Sequence, residues 1–595
     1  MRKIINNLFV VLLMACAVVG CKEEVDYGDH DRTSVVTLSK SAVNIGWEGG
    51  SSAEITVTVP RFGWKAEYDA HWLSVTPDTT NLVGSTQVTL LVMENTSEEP
   101  REAVVTFLSG NVEQKLNVKQ VGYGQIASDV NHPDGNANKW MFEVLKERYL
   151  WNTLLEDAYP DYACNYNNFL ANTLIPLKGN ELDGGRIDGA RYLYSTVSRV
   201  PASATRSGEQ TRAGVSTLYP SFGIATIGLV SVDEDLVYLR VTSINPESPA
   251  ERAEIQRGEY IGEINGEEIT RVNVNAMCNK LLYPNGGSIQ LTMMRSSEFQ
   301  GEFYFSEDRK VNLSTANIGN NPVVAYSILE HVGKKVGYVA YNSFVSGVTS
   351  NPTAYDLELQ NVFDEFVAEG IDELVVDLRY NNGGLVSSCQ KLCSMIAPSD
   401  KLGEVAFTLR HNEQLEATLP ESQKKVKLLT SYAESNVNMS RVYFIVSDQS
   451  ASASEMVIVG MEGLGVDVTV VGLTTEGKNV GMEVITKYVD GYNYEFSPVT
   501  FQIFNAKDES NYSTGIRADY EVDEWGDLRS DGWKPLGDPE EVMLNMALNL
   551  ITGNTTRSFV EVSPAPQIQN RFERLKYNDP NVLRGALLTP EVEQE

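Results

Sequence analysis

Apolar and polar residues alternate along two stretches near the start of the chain, a pattern typical of strands that bury one face. The alternating apolar positions are Ile55, Val57, Val59, Val88, Leu90 and Val92. Turn-forming residues at 48–51 and 78–81 separate such stretches at the spacing found in sandwiches. The pattern therefore predicts an all-β sandwich over residues 36–122.

A helical period replaces this alternation after a polar stretch at about 123–135. The apolar residues at helical spacing are Trp140, Met141, Val144, Leu145 and Tyr149. They predict a small helical domain over residues 136–215, with the aromatic side chains in its core.

From residue 300 to residue 553, apolar runs alternate with helical stretches, which predicts a mixed α/β domain. The predicted buried strands lie at 335–341, 373–378, 442–446 and 466–471, and a helix is predicted at 361–369. A last helix is predicted to begin at Asp538, as an N-cap acid before Pro539, and to end at Gly553. Residues 554–595 form a polar tail that the pattern assigns to no element.

Length and charge limit the function classes. A chain of 595 residues exceeds what one hydrophobic core supports, so three to five domains are expected. Acidic residues outnumber basic ones by 80 to 48, which gives a formal net charge of −32. A surface of this sign repels phosphate backbones, which argues against nucleic acid as a partner.

The first 21 residues are typical of an export signal. Arg2 and Lys3 precede an apolar run, 8–20, that is too short to span a bilayer comfortably. The run ends in Gly20-Cys21, which resembles the lipobox of bacterial lipoproteins. That resemblance implies acylation of Cys21, an acidic tether at 22–35, and anchoring to the cell envelope at the outer membrane. The alternative is a plain signal peptide with an incidental cysteine.

Four cysteines follow Cys21, namely Cys164, Cys278, Cys389 and Cys393. Their spacings show no disulfide framework. Cys389 and Cys393 lie four residues apart on a predicted helix, where Cβ atoms are about 5–6 Å apart, farther than a disulfide allows. We expect buried free thiols. Five histidines in no paired arrangement predict no metal site, and no cofactor is expected.

The predicted sandwich carries two recognisable segments. They are 71–77, of sequence HWLSVTP, and the closing 119–122, of sequence KQVG. Both are similar to BACON-type immunoglobulin-like domains of secreted bacterial proteins. The resemblance implies a glycan contact, for which Trp72 is a candidate, although a tryptophan there is more often core. A spacer that lifts the rest of the chain off the membrane is equally compatible.

Residues 218–297 resemble a PDZ domain. Phe222-Gly223-Ile224 precedes alternating strands, and S-P-A at 248–250 is followed by G-E-Y-I-G-E-I-N-G at 258–266. A PDZ domain binds a peptide as an extra strand and holds its terminal carboxylate with backbone amides. The resemblance therefore assigns peptide binding to Phe222, Gly223 and Ile224. The alternative is a domain that only packs against its neighbour.

An apolar strand runs into small residues and then into an apolar helix at 450–456, of sequence SASASEM. A serine at such a strand-to-helix turn can expose its hydroxyl where helix amides stabilise negative charge. Ser452 to Glu455 also matches the capping box, which only begins a helix. These residues alone favour the cap.

Two further motifs change that interpretation. Upstream, D-L-R-Y-N-N-G-G at 377–384 ends a buried strand in Gly383 and Gly384, and downstream Lys478 follows Gly477. Together with the PDZ-like region, the chain resembles the tail-specific, or C-terminal-processing, serine protease family. The resemblance implies a ClpP/crotonase-like catalytic domain and a serine endopeptidase (EC 3.4.21.-) that acts on protein or peptide substrates.

The family pattern assigns Ser452 as the nucleophile and Lys478 as the general base. Gly383 or Gly384 and the amide of Ala453 would form the oxyanion hole. A serine hydroxyl attacks well only if a base removes its proton. Lysine has an ordinary pKa of about 10.4, so the base must lie in a dry pocket that lowers it.

Many family members carry glutamine four residues after the lysine, and this chain has Met482 there. Methionine supplies no such hydrogen bond, so another residue, or none, orients Lys478. Asp377 and Arg379 are predicted to pair and brace the strand end, and Glu455 to begin the helix. The competing hypothesis is a catalytically inert cell-envelope lipoprotein that binds peptide or glycan.

Overall fold

The structure, a computed structural model, describes most of the chain. The described residues are 36–553, except 48, 52–54, 60–62, 82–83, 110–111, 124–132, 159, 188–189, 202–214, 217, 234, 300–301, 320, 527–528 and 531, together with 573–575 and 585–588. The predicted signal, Cys21 and the tether lie outside them, as does most of 554–595. The chain divides into two compact units, residues 1–129 and 130–595.

The first unit is the predicted all-β sandwich. Its strands are β1 Thr37–Leu38, β2 Ala42–Ile45, β3 Gly50–Ser51, β4 Ile55–Val59, β5 Trp64–Glu67, β6 Leu73–Thr76, β7 Thr79–Thr80, β8 Gly84–Val92, β9 Arg101–Ser109 and β10 Val112–Gln120. One sheet has the order β1-β4-β8-β3 with β6 beside β8, and the other has the order β2-β10-β9-β5-β7. Apolar side chains of both sheets form one core, because residues of β4, β8, β9 and β10 alternate between buried and exposed.

Trp72 belongs to this core. Its side chain is 7% exposed. The guanidinium of Arg101 lies 4.5 Å from the centroid of its ring. Trp72 is therefore a packing residue, and its ring offers no open face for a sugar.

The second unit begins with the predicted helices. Its first elements are α1 Gly135–Arg148, a 3₁₀ turn at Asn152–Asp157, α2 Tyr166–Leu174, β11 Gly185–Ile187, β12 Ala190–Tyr192, β13 Thr196–Pro201 and β14 Val215–Ser216. Met141, Leu145 and Tyr149 are buried on one face of α1, as their spacing predicts. These elements share a core with the later α/β domain, because Met482 and Phe496 pack in the same cluster.

A second region forms a barrel-like set of antiparallel strands with two helices. Its elements are β15 Tyr219–Ser221, β16 Ile224–Ser231, β17 Val237–Ile244, α3 Pro249–Arg252, β18 Tyr260–Ile264, β19 Glu267–Glu268, α4 Val274–Leu282, β20 Ser288–Phe299, β21 Glu302–Ser314 and β22 Ala316–Ile318. β20 passes residue 297 and pairs with β21 along its length, so the sheet continues beyond the predicted boundary. The main sheet has the order β21-β20-β18-β17-β16, followed by a strand from the end of the chain.

The remaining region is the predicted mixed α/β domain. Its elements are β23 Val323–His331, β24 Lys334–Tyr341, β25 Gly347–Val348, α5 Ala354–Glu369, β26 Glu373–Asp377, β27 Gly383–Leu385, α6 Val386–Ile396, β28 Val405–His411, α7 Glu413–Thr418, α8 Glu421–Lys424, β29 Lys425–Lys427, β30 Arg441–Val446, α9 Ala453–Gly463, β31 Asp467–Gly472, β32 Val480–Glu483, β33 Ile485–Val489, β34 Tyr492–Ser497, β35 Val499–Asn505, β36 Tyr520–Glu521 and α10 Val542–Ile551. Short 3₁₀ turns lie at Ser399–Lys401, Thr430–Ser435 and Glu524–Gly526. The last two strands are β37 Glu573–Leu575 and β38 Gly585–Leu588.

A central sheet of order β23-β24-β26-β30-β31-β36 organises this domain. β24, β26, β30 and β31 run parallel to one another. Helices α5, α6 and α9 pack with one face of the sheet, and α10 packs with the other. Burial on both faces explains why these strands appear in the sequence as continuous apolar runs.

The predicted start of the last helix is wrong. α10 begins at Val542, and its N-cap is Glu541, whose carboxylate accepts from the amides of Met543 and Leu544. Asp538 lies in the preceding turn, where its amide donates to the carbonyl of Pro535. The predicted end is confirmed, since Gly553 follows the last turn with a φ of +65°.

No helix in the described part of the chain has the length and apolar character needed to cross a bilayer. Within the same residues, no three or more His, Cys, Asp or Glu side chains are grouped so that they could hold a metal ion.

Candidate active site

Three sequence motifs meet because they follow three neighbouring parallel strands. The glycine pair follows β26, the serine segment follows β30, and the lysine segment follows β31. These strands are consecutive in the central sheet. The carboxyl ends of parallel strands lie at the same edge of a sheet, so the three segments reach one place there.

Ser452 lies at the N-terminus of α9 in an unusual backbone conformation. Its φ is +58°, in the left-handed region that favours glycine. The side chain is fully buried, and its Oγ has no hydrogen-bond partner among the residues that the structure describes. Backbone strain and an unpaired buried hydroxyl both cost free energy, and they occur together here at a helix N-terminus.

The neighbouring serines behave differently. Ser450 Oγ donates to the carbonyl of Leu378 at 2.8 Å, and Ser454 Oγ donates to the carbonyl of Asn381 at 2.8 Å. Both hydroxyls fasten the start of α9 to the segment that follows β26. Of the three serines in this motif, the middle one alone has a hydroxyl without a described partner.

Glu455 connects the serine segment to the lysine segment. Its carboxylate accepts from the backbone amide of Ser452 at 2.7 Å, which agrees with the predicted helix-start role. It also accepts from Thr475 Oγ1 at 2.5 Å and from the amides of Gly477 and Lys478 at 2.7 and 2.9 Å. Burial raises the pKa of Glu455 to about 7, while these four hydrogen bonds act in the opposite direction.

The predicted capping box is present at the start of α9, with Ser452 as the N-cap and Glu455 as the third helical residue. Its carboxylate half is the 2.7 Å bond that the amide of Ser452 donates to Glu455. The Ser452 hydroxyl lies at the other half of the box but forms no side-chain hydrogen bond there.

Lys478 is fully buried against soft and aromatic groups. Its Nζ lies 3.8 Å from the Sδ of Met482 and 4.3 Å from the centroid of the Tyr194 ring. Tyr194 is itself fixed, because its hydroxyl donates to Glu476 at 3.2 Å and its amide donates to Asp183 at 3.0 Å. Burial raises the pKa of Asp183, and the nearby charge of Lys478 acts against that shift.

Gly383 and Gly384 allow the chain to pass close to the serine. Their φ values are +103° and +139°. A Cβ at residue 383 would lie 3.0 Å from the Cβ of Ser452, and one at residue 384 would lie 2.3 Å from the carbonyl oxygen of Phe344. Side chains at these positions would therefore displace the serine or the neighbouring strand.

The amides predicted to form the oxyanion hole differ in whether they already donate a hydrogen bond within the protein. The amide of Gly383 donates to Asn381 Oδ1 at 2.9 Å. Ala453 is the first residue of α9, where helix amides lack an intrahelical acceptor. The amide of Ala453 therefore belongs to the first turn of α9, directly after Ser452.

Comparison with known proteins identifies the α/β domain. Residues 335–522 match peptidase family S41, residues 240–280 match the PDZ domain family, and residues 35–123 match the family described as the viral BACON domain. The α/β domain of this chain is therefore an S41 peptidase domain. The S41 match covers β24 to β36, and therefore includes Ser452, Lys478 and the glycine pair.

Similar proteins agree with this assignment. A probable CtpA-like serine protease of Staphylococcus saprophyticus is 22% identical over 286 residues, which are 48% of this chain and 51% of that protein. The chloroplastic carboxyl-terminal-processing peptidase 3 of Arabidopsis thaliana is 27% identical over 285 residues, which are 46% and 50% of the two chains. The chain spans about half the length of these curated relatives.

Among solved structures, a putative S41 protease from Bacteroides fragilis is 27% identical with a TM-score of 0.57. The similarity covers 70% of this chain and 97% of that one. The match at this coverage shows that the S41 fold extends well beyond residues 335–522.

The PDZ region of this S41 chain places the predicted peptide-binding residues at the start of β16. Phe222 and Ile224 are buried, and Gly223 has a φ of +91°. A Cβ at residue 223 would lie 2.1 Å from the Cβ of Ser248, so the loop is packed tightly against the S-P-A segment. This loop and Ser452 belong to different sheets, and the described contacts do not join them into one site.

A buried ionic cluster lies behind the glycine segment of the S41 domain. The predicted pairing of Arg379 with Asp377 is confirmed at 2.7 Å, but Arg379 also contacts Glu524 at 2.8 Å and Glu541 at 2.7 Å. Arg257, from the PDZ region, contacts Glu524 as well. Sequence reasoning missed both glutamates, because neither belongs to a recognisable motif.

The four described cysteines of the S41 chain, Cys164, Cys278, Cys389 and Cys393, are all free and buried. The prediction of buried thiols is confirmed for them. Tyr194 was also missed by sequence reasoning, because 284 residues of chain separate it from Lys478 and no local pattern marks it.

Proposed function

We propose that this chain is a serine endopeptidase in which Ser452 is the nucleophile and Lys478 is the general base. The observation that supports this most strongly is at Ser452, where a buried hydroxyl without a described hydrogen-bond partner coincides with a positive φ at a helix N-terminus. Strained backbone of this kind clusters at active sites. The neighbouring Ser450 and Ser454 have structural partners and are poor candidates.

In the proposed reaction, Ser452 Oγ attacks the carbonyl carbon of the scissile peptide bond. Its proton passes to the neutral amine of Lys478, which later donates a proton to the leaving amine. Water then hydrolyses the acyl-enzyme with the same base. The positive end of α9 and the amide of Ala453 stabilise the oxyanion, and one such donor is worth about 3–4 kcal/mol.

The surroundings of Lys478 support the base role. Lys478 is fully buried, and a desolvated site disfavours the ammonium form of a lysine. Glu455 supports the pairing of the two residues, since one carboxylate binds the backbone amides of both Ser452 and Lys478.

Hydrolysis by single variants tests the proposed function. Purified chain is incubated with unfolded proteins and with a library of peptides, and the cut positions are read by mass spectrometry. Wild type is expected to cleave, and Ser452→Ala and Lys478→Met are expected to lose at least about 10³-fold in kcat/KM. Ser450→Ala and Lys507→Met are matched controls that should retain most of the activity. Equal rates in wild type and Ser452→Ala would leave a peptide-binding protein instead.

We further propose that the PDZ region recognises substrate C-termini. A loop with positive φ at Gly223 leads into β16, and the edge of β16 that pairs with β37 is the edge at which a PDZ domain adds a peptide strand. In the Ser452→Ala chain, peptides with a free α-carboxylate should bind at least about tenfold more tightly than the same peptides with an amidated end. Equal affinity for both forms contradicts carboxylate recognition but leaves the protease proposal intact.

We also propose that the mature chain is anchored to the envelope through an acylated Cys21. The basic flank, the short apolar run and the Gly-Cys ending support it. Metabolic labelling with an alkyne fatty acid in a bacterial host should label wild type and Cys16→Ala, whereas Cys21→Ala should lose the label and leave the membrane fraction. Retention of the label by Cys21→Ala would overturn the anchor.

A further inference from the structure

One strand from the end of the chain lies inside the sheet next to the candidate active site. β38 is parallel to β27 on one side, with Gly585 opposite Gly383 and Ala586 opposite Gly384. It is parallel to β32 on the other side, with Ala586 opposite Gly481 and Leu587 opposite Met482. This sheet has the order β27-β38-β32-β35-β28-β29. β38 therefore lies between β27, which contains the glycine pair, and β32, which follows Lys478.

Without β38, β27 and β32 would face each other across a gap of two strand spacings, roughly 9–10 Å. Both facing edges would present unpaired backbone groups to one extended chain. One edge belongs to the glycine that lies against Ser452, and the other belongs to Met482, which contacts Lys478. The gap therefore has the width and the backbone groups of a slot for one peptide strand beside the nucleophile and the base.

A second strand from the same part of the chain covers the open edge of the PDZ region. β37 pairs antiparallel with β16, with Leu575 opposite Leu229 and Glu573 opposite Ser231. β16 has β17 on its other side, so β37 takes the position at which a strand-adding ligand would bind. Along β37 the chain runs towards Gly223, which is the direction expected of a peptide whose end is held by that loop.

We propose that the C-terminal strands β37 and β38 are intramolecular occupants of two peptide-binding positions and compete there with substrate. The inference rests on the proposed function, because it concerns the regulation of the same site. β37 pairs with the β16 edge at which the PDZ region is proposed to bind substrate, and β38 fills the gap beside Ser452 and Lys478. The partner of both edges is thus an extended peptide recognised through its backbone, and the chain supplies one itself.

An attached segment competes at an effective concentration in the millimolar range for short flexible links. When the tail occupies these edges in most molecules, only the remaining molecules can bind another peptide. The apparent affinity for that peptide is reduced by the same fraction. Displacement of the segment should therefore increase both peptide affinity and peptide hydrolysis.

Proline substitutions in the full chain test this, because proline removes a backbone donor and clashes in a paired strand. The variant is Arg574→Pro with Leu587→Pro, and the control is Gln594→Pro, which lies after both strands. The probe is a fluorescein-labelled peptide of residues 571–590, and its binding is measured in the Ser452→Ala background. The double variant is expected to bind the probe at least about tenfold more tightly than the control. In the active background, it should cleave peptides at least about tenfold faster in kcat/KM.

Two measurements keep the outcomes distinguishable. If no chain hydrolyses peptide but the double variant still binds the probe more tightly, the protease proposal fails and occupancy by the tail is supported. If all chains hydrolyse peptide and the double variant matches Gln594→Pro in affinity and rate, the protease proposal stands and the tail inference is overturned.

Folding of the double variant is checked by hydrogen exchange of the amides in α9 and β30. If that variant does not fold, a site for a specific protease is inserted at residue 560 of the otherwise unchanged chain. Cutting there after folding separates the tail from the rest of the chain, so the tail then competes only at its concentration in solution. Peptide hydrolysis should then rise on dilution, and an unchanged rate would overturn the inference.

Discussion

Lys478 and Arg379 are two buried basic side chains at the same end of the central sheet, and their surroundings differ sharply. Arg379 donates to the carboxylates of Asp377, Glu524 and Glu541. Burial acts to lower the pKa of Arg379, but these carboxylates outweigh it and the pKa lies above the ordinary value. In return, Arg379 counteracts the burial of Glu541 and holds the pKa of that carboxyl at about 2.

Lys478 has the same degree of burial, and its contacts include a thioether, an aromatic ring and the charge of Asp183. Removing one member of a paired buried cluster leaves charges uncompensated, which is strongly destabilising. Lys478 lies in a poorly hydrated site, where the charged form of a lysine costs free energy, so its removal also removes that cost. Burial alone therefore does not identify a catalytic residue. The chemistry of the contacts distinguishes a basic residue that stabilises the fold from one that can act as a general base.

The comparison predicts unequal effects of the same substitution on stability. Arg379→Met should destabilise the second unit by about 3–5 kcal/mol, because it removes the cation that three buried carboxylates share. Lys478→Met should destabilise it less, because no such ionic cluster of described residues depends on Lys478, while it abolishes hydrolysis. Hydrogen exchange of amides in β26 and α10 measures both effects.

Arg410→Met is the control for loss of an arginine that pairs at the surface. Arg410 contacts Asp508, and both side chains are about half exposed, so its loss should cost about 0–1 kcal/mol. If Arg379→Met costs no more than Arg410→Met, the bracing role of the cluster is wrong.

Local sequence patterns predicted the elements well where one face or both faces of an element are buried. Period-two alternation predicted β4 and β8, and apolar runs predicted the parallel strands to within about a residue or two. The start of α10 was mispredicted because Asp538 and Pro539 are good local start signals, whereas the bond network of Glu541 with Arg379 decides the real cap. A distant ion pair leaves no trace in the local pattern.

The candidate site was predicted in part for the same reason. Ser452, Lys478 and the glycine pair stand in short motifs that follow strands, and those motifs can be read locally. Tyr194 arrives from the helical region through tertiary packing, and Glu455 shows locally only its helix-start role. β37 and β38 have three and four residues, which are too few for a periodic signal.

Glu455 extends the comparison to a buried carboxyl group. In the described bonds it accepts from backbone amides and pairs with no cation. Its pKa of about 7 lies above the ordinary 4.5, so the folded chain holds this proton more tightly than the unfolded chain. The stabilising effect is complete below pH 4.5 and is lost as pH rises to about 7. The difference amounts to about 3 kcal/mol of unfolding free energy.

Glu455→Gln should remove this pH dependence, and Glu521→Gln, at an exposed position, should retain it. Hydrogen exchange of α9 amides between pH 4.5 and pH 7, corrected for the intrinsic exchange rates, measures the slope. A parallel slope in Glu455→Gln and wild type would show that Glu455 keeps its ordinary proton affinity in the folded chain.

The smallest expected effect concerns Met482, the residue that sets the soft surroundings of Lys478. Met482→Gln places an amide oxygen near Nζ, and a neutral hydrogen bond is worth about 0.5–1.5 kcal/mol. Because that bond orients the amine towards Ser452, kcat/KM should rise about 2- to 10-fold. Met482→Leu conserves volume without an acceptor and should not raise it. If kcat/KM rises in both variants, the gain comes from loss of the sulfur contact. If kcat/KM falls in Met482→Gln alone, the weakly polar contact of Met482 is what keeps Lys478 reactive.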